Sequence, residues 1–133
     1  MTQIVHDVRP TKSGEVLQME LDNGFSRSVG SVTITDAIEV GAVLRDNAGT
    51  WEQVVQANVA TIGSDTLAIL IDDEVYSRKA VQALPADLDV GVLDDTSVVG
   101  RAKLSYGDVL SPAEKDAVEA QLEALDIKVT SQV

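Results

Sequence analysis

Apolar and polar positions along this chain alternate in short blocks, and most of the blocks are too brief for helices. Val32-Thr33-Ile34-Thr35 alternates strictly, as a strand with one buried face does. Asp36-Ala37-Ile38-Glu39 then bends the chain into a hairpin of Gly41 to Asp46 and Thr50 to Val55, with Asn47-Ala48-Gly49 supplying the permissive backbone of a tight turn. Leu67-Ala68-Ile69-Leu70-Ile71 is continuously apolar and follows Gly63-Ser64-Asp65, which predicts a strand buried on both faces. Gln56 to Ile62 reads as a further short strand, and Val75 to Leu84, halted by Pro85, as a turn or two of helix or a surface insertion. Two more strands are predicted at Asp89 to Asp95 and Ser97 to Leu104.

One segment has helical spacing. Ser111, Pro112 and Glu114 form an N-cap, a first-turn proline and the returning carboxylate of a capping box. Behind them Val118, Leu122 and Leu125 share a face, with Glu114, Lys115, Asp116, Glu119 and Glu123 assigned to the opposite, polar face. Ile127 and Val129 make a short closing strand. The predicted fold is therefore α+β and β-rich: a small mixed β-sandwich or barrel-like core with one C-terminal helix at about 112–125 and an extended N-terminal arm.

The arm is residues 1–24, and the β-rich domain is 25–133. Ile4, Val5, Val8, Val16, Leu17, Met19 and Leu21 are scattered through the arm without a clean period, although Val16 to Leu21 reads as a short strand. It reads either as a segment that orders on a partner or as a terminus that packs nowhere in particular.

Composition narrows the function classes. The 133 residues suffice for one core without staples, and no cysteine is present for disulfides or thiolate metal sites. Aromatics make up only 3%, so the core is aliphatic. A formal charge of −12 opposes binding to nucleic acid or to an anionic membrane surface. No apolar run reaches the roughly 18 residues of a membrane span, and the N-terminus lacks the pattern of a signal peptide. A soluble, unprocessed chain is expected.

Candidate chemistry is sparse. His6, the sole histidine, lies in the arm, which leaves nucleophile-base pairs little to work with. The glycines do not form a phosphate cradle. Asp72-Asp73-Glu74 and Asp94-Asp95 have the oxygen donors that calcium or magnesium requires, which would suit a metal-dependent hydrolase using Asp72, Asp73, Asp94 and Asp95, but they lack EF-hand spacing, and in so acidic a chain the favoured reading is solvated loop carboxylates. No cofactor is implied. Trp51, the single tryptophan, is either a core plug or an anchor at an oligomer interface.

Four stretches taken in order carry a resemblance: Gly41-Ala42-Val43-Leu44, Ala68-Ile69-Leu70-Ile71-Asp72-Asp73, Val98-Val99-Gly100-Arg101-Ala102, and Leu122-Glu123-Ala124-Leu125-Asp126-Ile127-Lys128-Val129. Together they resemble the lambda-like, capsid-stabilising head decoration proteins of tailed bacteriophages, over about residues 25 to 130. The chain departs from the family pattern at Asp126, where glycine is usual, and at Gly100, which precedes Arg101 instead of following it; residues 74–89 are also longer than the family's connection. The resemblance implies a non-enzymatic structural protein, made in the host cytoplasm and added to the outer surface of the expanded capsid as a homotrimer. There it would stabilise the head against internal DNA pressure, its arm pairing with the major capsid protein through Ile4, Val5, Val8, Val16, Leu17 and Phe25. Another virion component, such as a tail-tube or head-fibre base module, is the alternative.

Overall fold

The computed structural model describes residues 16–20 and 27–131, and residues 17–20 by their backbone alone. In chain order the strands are β1 (Leu17–Glu20), β2 (Arg27–Ile34), β3 (Val43–Asn47), β4 (Thr50–Gln53), β5 (Leu67–Leu70), β6 (Ala86–Leu93), β7 (Ser97–Gly100) and β8 (Ile127–Thr130). Among the described residues the α-helices α1 (Val75–Lys79) and α2 (Pro112–Ala124) and the 3-10 helices Gln56–Ser64 and Arg101–Lys103 lie between these strands. The α+β, strand-rich core with a C-terminal helix is as the apolar pattern predicts.

Five strands close into a barrel in the order β2-β4-β3-β5-β6, and β6 returns to β2 along eight residue pairs from Arg27↔Leu93 to Ile34↔Ala86. Register explains why the interior fills. Val32 pairs with Leu88, Leu70 with Val92, Leu44 with Ala68, and Val32 with Trp51, so these side chains share the inner face. The outward set Val43, Ile69 and Leu93 is also in register and fully buried, because a second layer covers it. That layer is α2, packed on β5, β8 and the 3-10 helix Gln56–Ser64, together with the sheet β1-β7-β8.

The local devices follow from chemistry already visible in the chain. Between β3 and β4, Ala48 (φ 54°) and Gly49 (φ 97°) take the two positive angles of a type I′ hairpin, and Asp46 Oδ1 accepts the Gly49 N–H at 2.9 Å. At the head of α2, Ser111 Oγ accepts from Glu114 N at 3.2 Å while Glu114 accepts from Ser111 N at 2.8 Å. Gly41 (φ 100°) lies where a Cβ would strike the Lys103 carbonyl oxygen, so the start of β3 and the turn after β7 touch backbone to backbone.

Three expectations are corrected. Gln56 to Ile62 is not a strand: Asn58 accepts the Val55 N–H on its side chain at 3.0 Å and returns its own N–H to the Val55 carbonyl at 3.0 Å, which winds the segment into a 3-10 helix. The strand expected over Ser97 to Leu104 stops at Gly100. Residues 1–24 are not wholly an arm, because Val16 is fully buried and β1 pairs antiparallel with β7, Leu17 opposite Val99 and Glu20 opposite Ser97.

The segment after Asp73 is fastened down. Lys79 Nζ donates to the carbonyls of Asp36 at 2.8 Å and Ile38 at 2.6 Å, Tyr76 Oη accepts the Val40 N–H at 2.9 Å, and Arg78 donates to the Asp89 carbonyl. Val75 is buried beneath it.

Candidate functional site

Of the residues expected to reach a capsid, Ile4, Val5, Val8 and Phe25 lie outside the described residues. Val16 is corrected: its side chain is wholly inside the chain's own core and has no surface to offer a shell. Leu17 has its backbone in the β1–β7 ladder. Trp51, read as either a core plug or an interface anchor, packs half-buried against the chain's own core. It sits on the inner face of β4 beside Gly30, where an added Cβ would come within 2.7 Å of the indole Nε1. Gly30 therefore provides the room in which the half-buried indole lies.

The acidic pairs are taken up locally. Asp72 accepts the N–H groups of Glu74 at 3.0 Å and Gly91 at 3.1 Å, Asp94 accepts from Ser28 Oγ at 2.6 Å, and Asp95 accepts from Thr96 N at 2.8 Å. Such bonds cap turns. Among the described residues no three His, Asp or Glu side chains gather as a metal site.

A concavity opens where two strands part. β2 and β4 run parallel, and their ladder has one rung, Val32↔Trp51. Beyond it lies a groove of about 410 Å³, lined by Thr33 and Thr35 from the β2 side, Ala37 and Glu39 from the following turn, Glu52, Gln53 and Val55 from the β4 side, and Ser105, Tyr106 and Gly107 across its end.

Its walls are held by backbone bonds. Ser105 N donates to Gly41 O at 3.0 Å, Val43 N to Ser105 O at 2.9 Å, and Gly107 N to Val54 O at 2.8 Å. On the opposite wall, Lys79 holds the 36–39 turn through the two carbonyls already named.

Charge within the groove is uneven. Glu52 is neutralised by Arg45, whose Nη1 lies 2.5 Å from Oε1, and Arg45 also reaches Asp65 at 3.1 Å. Hydrogen bonds donated to Asp65, and then to Glu52, raise the Arg45 pKa, so the guanidinium stays charged. The side chains of Thr35, Glu39 and Gln53, by contrast, make no hydrogen bond or ion pair among the described residues.

Behind Tyr106 lies a polar cluster that sequence reasoning missed. Glu119, assigned from helical spacing to the polar face of α2, is buried, and Arg101 Nε donates to both its oxygens. Burial, and after it the Glu119 carboxylate, pushes the Tyr106 phenol up to about 12, with Arg101 opposing. Helical spacing could not disclose the pair, because the partner lies 18 positions upstream on another element.

No helix among the described residues is long and apolar enough to cross a membrane. No protein-family model, curated protein or solved structure matches the chain.

Proposed function

We propose that this protein is a virion component that binds the outside of an expanded tailed-phage capsid and reinforces it against the pressure of packaged DNA. The observation that carries this reading is the backbone of Asp126. With φ 68° it occupies the left-handed region between α2 and β8, the conformation that favours glycine, and glycine is what the resembled family usually carries there. The departure in residue type thus keeps the turn. The other resembling stretches fall on the opening of β3, on β5, and on β7 with the 3-10 turn that follows it; the three strands contribute Val43, Leu44, Ala68, Ile69, Leu70 and Val99 to the packed core.

In this reading the chain acts as a clamp. Among the described residues β1 is the marginal strand of the sheet β1-β7-β8, and strand addition by a neighbouring subunit along its outer edge is proposed, where backbone hydrogen bonds supply affinity without a deep pocket. Ile4, Val5 and Val8 precede that edge in the chain and are proposed to contact the major capsid protein. A protein that binds only the expanded shell stabilises that form by mass action, and assembly as a homotrimer multiplies the effect. The net charge of −12 suits a position on the outside, away from DNA.

The test is co-sedimentation of the purified protein with expanded and unexpanded shells, comparing the full chain with one lacking residues 1–14. The shortened chain keeps every described residue, Val16 and β1 included. Retention on expanded shells alone, lost on shortening, is expected. Retention on neither shell overturns decoration, and equal retention of the shortened chain overturns the role of the arm.

A further inference from the structure

We propose that the groove between β2 and β4 receives an arginine side chain presented by a partner protein. This inference rests on the groove itself and not on shell binding.

The lining has the chemistry of a guanidinium site. Glu39 offers a carboxylate without a partner among the described residues, and it stands on a turn braced by Lys79. Glu52, across the groove, already shows the pairing in miniature by holding Arg45 from its other side. Thr35 and Gln53 add uncommitted acceptors, Ala37 and Val55 give apolar wall for an aliphatic stem, and Tyr106 gives an aromatic surface. A guanidinium is planar, has five donors and stacks on aromatic rings, so it can use a carboxylate, a hydroxyl, an amide oxygen and a ring together. The compact ammonium of lysine cannot.

Size and charge select the same ligand. About 410 Å³ lies near the small end of ligand pockets, room for a side chain and part of its backbone. A molecule of net charge −12 draws cations toward its surface and repels phosphates and carboxylates. The groove is also preformed, since its end wall is fixed by the bonds of Ser105 and Gly107, so little ordering is required on binding.

The experiment is an amide chemical-shift titration of the isotope-labelled full chain with Nα-acetyl-arginine N-methylamide, with the norleucine and lysine analogues run in parallel. Saturable shifts confined to Thr35, Glu39, Gln53 and Gly107 are expected, with a dissociation constant of roughly 1–10 mM. Glu39→Gln should weaken binding about fivefold and leave the fold intact, because Glu39 is exposed and its side chain bonds to no described residue. Absence of saturation, shifts spread to distant acids such as Asp95 and Glu123, equal shifts with the norleucine analogue, or undiminished binding by Glu39→Gln would each overturn the site. Equal affinity for the lysine analogue would overturn the choice of arginine.

Discussion

Arg101 Nε donates to both carboxylate oxygens of Glu119, at 2.9 and 3.0 Å, and so joins the turn after β7 to the middle of α2. The two ends of this pair differ. The Glu119 side chain is 9% exposed and that of Arg101 is 49% exposed, so water screens the cation while the anion depends on it. Arg101→Met should cost about 1–3 kcal/mol, less than for a wholly buried pair, by leaving the carboxylate uncompensated. Adding Glu119→Leu should recover part of that loss. Urea unfolding of both variants measures this, and a loss below about 0.5 kcal/mol for the single variant would show the pair to be dispensable.

Gly30 and Trp51 give a second measurement with a built-in probe, since the chain has one tryptophan. A methyl group at position 30 would meet the indole Nε1 and Cδ1 at 2.7 and 2.8 Å, inside contact distance. Gly30→Ala should destabilise by about 1–3 kcal/mol and shift the tryptophan emission as the ring is pushed toward water. Unchanged emission with unchanged stability would mean that the indole does not rest there.

Asp126 predicts a change in the opposite direction. An L-residue in the left-handed region carries a steric cost that glycine avoids, and aspartate tolerates the region better than most. Asp126→Gly should therefore stabilise the protein by about 0.5–1 kcal/mol. Thermal unfolding checks it, and a lower melting temperature would be the contrary result.

Tyr106 sets an alkaline limit on stability. Its phenol has a folded pKa of about 12 against an ordinary value of 10.0, raised first by burial and then by Glu119. The neutral form is therefore favoured in the folded state. The contribution is fully present below about pH 10 and is lost as pH rises toward 12, because the unfolded chain releases its proton first. The wild-type minus Tyr106→Phe difference in phenolate absorbance should titrate near 12, and a midpoint near 10 would refute the assignment.

At the acid end the sign reverses. The Ser111 N–H holds the Glu114 carboxyl below its ordinary value of 4.5, so its contribution exists above that pH and fades as pH falls beneath it. The difference in melting temperature between wild type and Glu114→Gln should shrink as pH drops from 7 toward 3.

Features written in neighbouring residues were legible from the chain alone. The cap of α2 needs Ser111, Pro112 and Glu114, and the hairpin turn needs Asn47, Ala48 and Gly49. Each set is contiguous, so local chemistry sufficed. What escaped was set by meetings of distant segments. The short strand at Val16 to Leu21 could be read locally, but not its pairing with β7 or the burial of Val16, and Glu119 looks solvated until Arg101 arrives beside it. The groove is of the same kind. Thr35 and Gln53 become neighbours because the ladder between β2 and β4 ends after one rung, and no spacing in the chain encodes that.

That single rung has a consequence for the barrel as a whole. Every other junction of the ring has at least two ladder pairs, while the ladder between β2 and β4 has only Val32 and Trp51. Undone there, the five strands would form one curled ribbon with no other pair broken. Trp51 stands at this clasp, with its indole seated against Gly30. What keeps the ribbon rolled at this seam is therefore less its hydrogen bonding than the side chains packed inside it, the indole at the fastening among them.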